Sequence, residues 1–95
     1  MEVSIQELKS VADKLFAHLQ RDGKDVVEVP HDFYWSIPKE ERYDPYSIAS
    51  QPTLGQLSDD LFELRRIVHG EAEPIAYGLV WLASIIRAIG EEVVA

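Results

Sequence analysis

The chain has 95 residues, 46% of them hydrophobic and 27% charged; that is enough for one core and too little for two, so residues 1–95 read as a single domain. With no cysteine it has no disulfide framework, no thiol nucleophile and no Cys-based zinc site. A formal net charge of −8 repels phosphate backbones, which argues against nucleic acid as a ligand and leaves two readings, plain solubility or attraction to a basic protein partner.

The opening MEVSIQELKS lacks a basic region followed by an apolar run, so it does not read as a secretory signal. The most apolar stretch, 75–89, is shorter than the roughly 20 residues that cross a bilayer and carries Arg87. These features predict a cytoplasmic protein with no membrane partner.

The first helix is announced by Ser4-Ile5-Gln6-Glu7, a capping box in which a hydroxyl and a carboxylate satisfy free amides at a helix start. Its apolar stripe is Ile5, Leu8, Ala12, Leu15, Phe16 and Leu19, spaced by threes and fours, and Gly23 should end it. Residues 25–29 are rich in β-branched side chains and stop at Pro30; residues 33–37 also have strand character. The two segments are predicted to pair across a Pro30-His31-Asp32 turn.

Residues 43–52 are polar, bounded by proline and without period, and read as a connection. The second predicted helix begins near Thr53 or Ser58: Thr53-Leu54-Gly55-Gln56 has the capping-box form, and Ser58-Asp59-Asp60 offers a cap with acids at the positive end of the helix dipole. Leu54, Leu57, Leu61, Leu64 and Val68 form its stripe, Arg65 and Arg66 sit toward its end, and Gly70 closes it. Pro74 suits the first turn of a third helix whose apolar residues cover nearly the whole circumference, so this helix should be central and most buried, with Gly90 ending it and EEVVA as a frayed tail. The predicted fold is therefore mainly α: a three-helix domain with a short two-stranded β ribbon or extended segment between helices 1 and 2.

No catalytic constellation emerges. His18, His31 and His69 with Asp32, Asp59, Asp60 and Glu63 match no ligand spacing, and His69 lies six residues after Glu63, pointing away from it on one helix. The pair Asp59-Asp60 is better explained by the helix start, and Glu40, Glu41 and Arg42 by a helical turn after Pro38. Ser36, Ser47, Ser50 and Ser84 lack a glycine-flanked elbow, Ser84 reading as a helix contact, and the five glycines are scattered singly. The paired Glu-x-x-Glu and Glu-x-x-Asp of small helical pyrophosphohydrolases is missing too. The chain reads as no enzyme, with no cofactor and no metal; a metal-dependent hydrolase ranks third among the functional classes.

What remains is 31–46, HDFYWSIPKEERYDPY, which holds five of the nine aromatic residues among four acids and is broken by Pro38 and Pro45. Large rings here are either plugs that close the core or anchors that a partner buries. In a strand Tyr34 and Trp35 cannot both face inward, so one ring must look out. The predicted partner-binding set is Asp32, Tyr34, Trp35, Glu40, Glu41, Tyr43, Asp44 and Tyr46.

The run FYWSIPKEERYDPY followed by LGQLSDDLFEL resembles a small family of uncharacterised bacterial proteins of about this size, across residues 31–64, and the general character of the chain is similar to acidic immunity proteins that neutralise secreted toxins. The resemblance transfers no functional residue. It implies a small acidic protein-binding module, an immunity or antitoxin-like inhibitor of a basic partner. The competing class is a structural or regulatory homodimer sharing the Leu54/Leu57/Leu61/Leu64/Val68 stripe and the third helix.

Overall fold

The computed structural model describes residues 1–48 and 51–94. The elements run α1 (Ile5–Arg21), β1 (Phe33–Ser36), α2 (Lys39–Arg42), β2 (Thr53–Gln56), α3 (Leu57–Val68) and α4 (Gly78–Val94). Among the described residues the fold is mainly α, with four helices rather than three, because the turn after Pro38 closes as a short helix: the Glu41 and Arg42 amides both donate to the Pro38 carbonyl, at 3.0 and 2.9 Å.

Local signals place the helix ends. The Ser4 hydroxyl accepts from the Glu7 amide at 3.2 Å, opening α1. At the other end Gly23 takes φ +79°, its amide donates to the Gln20 carbonyl at 3.0 Å, and the Lys24 amide donates to the Leu19 carbonyl at 2.9 Å. This is a Schellman closure, which needs the left-handed residue that glycine supplies without strain. Gly70, at φ +74°, closes α3 in the same way.

The ribbon pairs differently from the prediction. β1 lies antiparallel to β2, in the register Phe33↔Gln56, Tyr34↔Gly55, Trp35↔Leu54 and Ser36↔Thr53; residues 25–29 form no strand. Two contacts explain the choice. Asp32 is held by Gln56 at the end of the far strand and by Ser58 in the first turn of α3, and the Tyr34 ring lies across the backbone of Gly55, where a side chain on the opposite residue would occupy the same space. Thr53–Gln56, the earlier of the two predicted helix starts, is accordingly a strand, and α3 begins at Leu57, beside the later one at Ser58.

The last helix also departs from expectation. It starts at Gly78, four residues after Pro74, through a turn in which the Gly78 amide donates to the Ile75 carbonyl at 2.9 Å. It runs through Gly90 and takes in most of the predicted tail. Nor is it a buried hub: Gly78 and Ala88 are its buried residues, while Leu79 is 68% exposed. Among the described residues α3 is the long helix packed most extensively against it. The buried set among the described residues, Leu57, Asp60, Gly78 and Ala88, belongs to this α3/α4 pair.

That leaves a large surface. The chain exposes 8174 Å², whereas a folded monomer of 10.8 kDa is expected to expose about 5,500 Å². The Cα radius of gyration is 15.1 Å, against about 12 Å for a compact domain of this length.

Candidate interaction surface

Two of the predicted contact residues are engaged inside the fold. Asp32 precedes β1 and reaches over to the start of α3, whose first amides have no helical partner. Its Oδ1 accepts from the Ser58 amide at 2.7 Å, and its Oδ2 accepts from Gln56 Nε2 at 2.7 Å and Ser58 Oγ at 2.8 Å. These donors, Gln56 foremost and then the two of Ser58, hold the carboxyl below the usual carboxylate range. Asp32 thus caps α3 from 25 residues away in sequence, in place of the Thr53 or Ser58 caps that the local pattern suggested.

Tyr34 turns inward as the strand alternates. Its hydroxyl donates to Asp60 Oδ2 at 2.6 Å, and Ser84 Oγ donates to the same oxygen at 2.6 Å. Asp60 is only 8% exposed, so these two charge-assisted bonds are what make its burial tolerable. Burial, followed by the bond to Asp60, raises the pKa of the Tyr34 phenol above its ordinary value. The trio joins β1, α3 and α4, a tie between elements distant in sequence.

Asp60 and Ser84 were absent from the predicted set, yet both carried a signal. Asp60 lies at three, one and four residues from Leu57, Leu61 and Leu64, on the apolar face of α3, and Ser84 interrupts an otherwise apolar run. A polar residue in such a position needs an internal partner.

The other predicted residues face solvent or lie on the crossover between the strands. Trp35 is 69% exposed on the outer side of β1, Tyr43 76% and Tyr46 93%; Glu40 and Asp44 are exposed and Glu41 is half-buried. Asp44 Oδ1 accepts from the Tyr46 amide at 3.0 Å, an Asx turn that sets the chain direction before Tyr46. Arg42 donates to the Ile37 carbonyl at 2.7 Å and fastens α2 to the end of β1. Among the described residues, no three His, Asp or Glu side chains converge as a metal site, and no helix is long and apolar enough to cross a membrane.

A second exposed surface is larger. No residue of α1 is buried, and Ile5, Leu8, Leu15 and Phe16 on its stripe are all exposed. Near its C-terminal end Phe16 and Leu19 share a crevice with Val27 and Ile89. On α4 the exposed apolar residues include Leu79, Val80, Leu82 and Ile86. The stripe on residues 54–68, by contrast, is partly consumed within the chain: Leu57 is buried and Leu61 and Leu64 are half-buried, while Leu54 and Val68 stay exposed. Compared with family models, with curated proteins and with solved structures, the chain matches none.

Proposed function

We propose that this chain is a non-catalytic protein-association module whose apolar helix faces are completed by another protein. The observation that carries this reading is the surface: 8174 Å² is exposed, about 2,600 Å² more than a monomer of this mass should leave in water. Ile5, Leu8, Leu15 and Phe16 of α1 and Leu79, Val80, Leu82 and Ile86 of α4 all lie within that exposed surface, and contiguous exposed apolar patches mark interaction sites. Obligate interfaces bury roughly 1,000–2,500 Å² on each partner, so the excess is of the right size to be covered by one association.

A second reading has its own observation, the exposed rings Trp35, Tyr43 and Tyr46 beside Glu40 and Asp44. Rings that supply affinity, with carboxylates that steer approach, suit a basic protein surface. This is how an immunity-like inhibitor would act, by covering its target rather than by chemistry. The two readings use different faces and are compatible.

X-ray scattering together with binding of an apolar fluorescent dye tests the main reading. At concentrations low enough to hold the chain monomeric, an expanded particle that binds dye is expected. A dye-silent monomer with a radius of gyration near 12 Å, the compact value, would refute it.

A further inference from the structure

Resting on that reading, we infer that the protein covering α1 and α4 is a second copy of this chain, the two copies joining α1 and α4 of each into one four-helix layer. Three observations lead there.

The first is the pattern. On α1, Ile5, Leu8, Ala12, Leu15 and Leu19 are spaced by three, four, three and four. On α4, Leu79, Ala83, Ile86, Gly90 and Val93 are spaced by four, three, four and three. Each is the seam by which one helix packs against another, knobs into holes, and the helices match in length, 17 residues apiece. On α1, Ile5, Leu8 and Leu15 are exposed; on α4, Leu79, Ala83 and Ile86 are. The chain's own α3 packs elsewhere on α4, toward Gly78, Ser84 and Ala88. Four such seams satisfy one another in a bundle.

The second is Gly90. Glycine inside a helix is about 1 kcal/mol worse than alanine, and a Cβ built on Gly90 meets nothing within 4 Å. Packing within the chain therefore gives no reason for glycine there. With Ala83, Ile86 and Val94, and with Arg87 and Glu91 beside them, it lines an open groove along α4, where the missing side chain lets a neighbouring helix come close.

The third is charge, which selects the occupant. Among its Lys, Arg, Asp and Glu residues α1 carries net +1 and α4 net −1, so the whole −8 lies outside these two helices. Two acidic copies can meet along these faces without bringing their net charge together, and the opposite signs favour α1 of one copy beside α4 of the other. A basic partner would be drawn instead to the acidic remainder. The excess surface falls at the upper end of what each chain of an obligate dimer buries, and a two-fold axis would repeat the contact and close the assembly.

Sedimentation equilibrium of the full chain across the micromolar range, with dye binding followed in parallel, is the test. The expected result is twice the 10.8 kDa chain mass with little dye bound, a melting temperature that rises with concentration, and reversion to single-chain mass with dye binding in Gly90→Trp. That variant is chosen because a Cβ on Gly90 meets nothing within 4 Å in the single chain and helix propensity improves. Leu15→Glu, on the opposing seam, should also halve the mass. A wild-type chain that stays monomeric at high micromolar concentration while binding dye overturns the second-copy inference and leaves the association reading standing with a different protein. A compact, dye-silent monomer overturns both. A dimer whose mass is unchanged in both variants overturns the inference, since the contact would then lie on another surface.

Discussion

Replacing Tyr34 with phenylalanine removes one hydroxyl and leaves the ring where it lies over Gly55. The lost bond is 2.6 Å long and ends on a carboxylate that is 8% exposed. Hydrogen bonds to charged groups are worth about 1.5–3 kcal/mol; because Tyr34 itself is half-buried and Asp60 keeps the Ser84 donor, the lower end of that range, about 1.5 kcal/mol, is the expected loss. In a domain of this size that corresponds to a melting temperature lower by roughly 6–12 °C. Ser84→Ala should have a comparable effect. The double variant should exceed the sum of the two, because only then does the buried carboxylate lose both side-chain donors. Circular-dichroism melts and urea titrations at one fixed protein concentration provide the measurement, since assembly would otherwise move the midpoint by mass action. A Tyr34→Phe change below about 0.5 kcal/mol, the scale of ordinary surface substitutions, together with additive behaviour in the double variant, would refute the role given to the trio.

Gly55→Ala should destabilise by about 1–3 kcal/mol, the usual range for overpacking, because the new Cβ collides with the Tyr34 ring; in a Tyr34→Ala background the same substitution should be nearly silent, and equal effects in both backgrounds would show that the ring does not lie there. Asp32, with its carboxyl pKa lowered by Gln56 and Ser58, contributes stability that is present above the ordinary carboxylate pKa and lost as pH falls through its lowered folded value. Urea midpoints of the wild type should therefore drop more steeply below about pH 4 than those of Asp32→Asn, and parallel curves would contradict the remote cap. If the β1–β2 crossover meets a basic protein, alanine at Trp35, Tyr43 or Tyr46 should weaken binding by at least about 2 kcal/mol at one ring, the usual threshold of a hot spot, with the melting temperature unchanged. Binding that is indifferent to all three rings, measured by calorimetry on the purified pair, would remove that second surface.

The features legible in the sequence are those decided within a few residues. Ser4 opens α1 and Gly23 and Gly70 close α1 and α3 as their local chemistry dictates, because a cap depends on its own turn and little else. Strand pairing is not of this kind. Residues 25–29 are close to β1 and β-branched, but Thr53–Gln56 is its partner because Gly55 makes room for Tyr34 and because Asp32 binds Gln56 and Ser58, 24 and 26 residues on, contacts that no local window contains. Glycine is weak in helices, yet the purpose of Gly55 is visible only opposite Tyr34. The predicted surface divided along strand alternation: Tyr34 went in and Trp35 out, and Asp32 became a cap rather than part of a rim.

An apolar circumference means that every side of a helix has cover; it does not say whose. Placing α4 at the centre assumed that one 95-residue chain could surround it. Yet one face goes to α3 through Gly78, Ser84 and Ala88, α1 approaches near Ile89 with the C-terminal part of its stripe, and the two-stranded ribbon is only four residues long per strand. Such a set leaves the side bearing Leu79, Ala83 and Ile86 open, and it leaves most of the α1 stripe open as well. A 17-residue helix with no buried residue has little to hold it in water, since in proteins helical stability comes mainly from packing an apolar face. The same shortage of cover therefore appears twice, on two helices of equal length and opposite net charge whose seams have complementary spacing. A partner that fitted only one of them would leave the other exposed; a second copy presents an α1 to each α4 and an α4 to each α1.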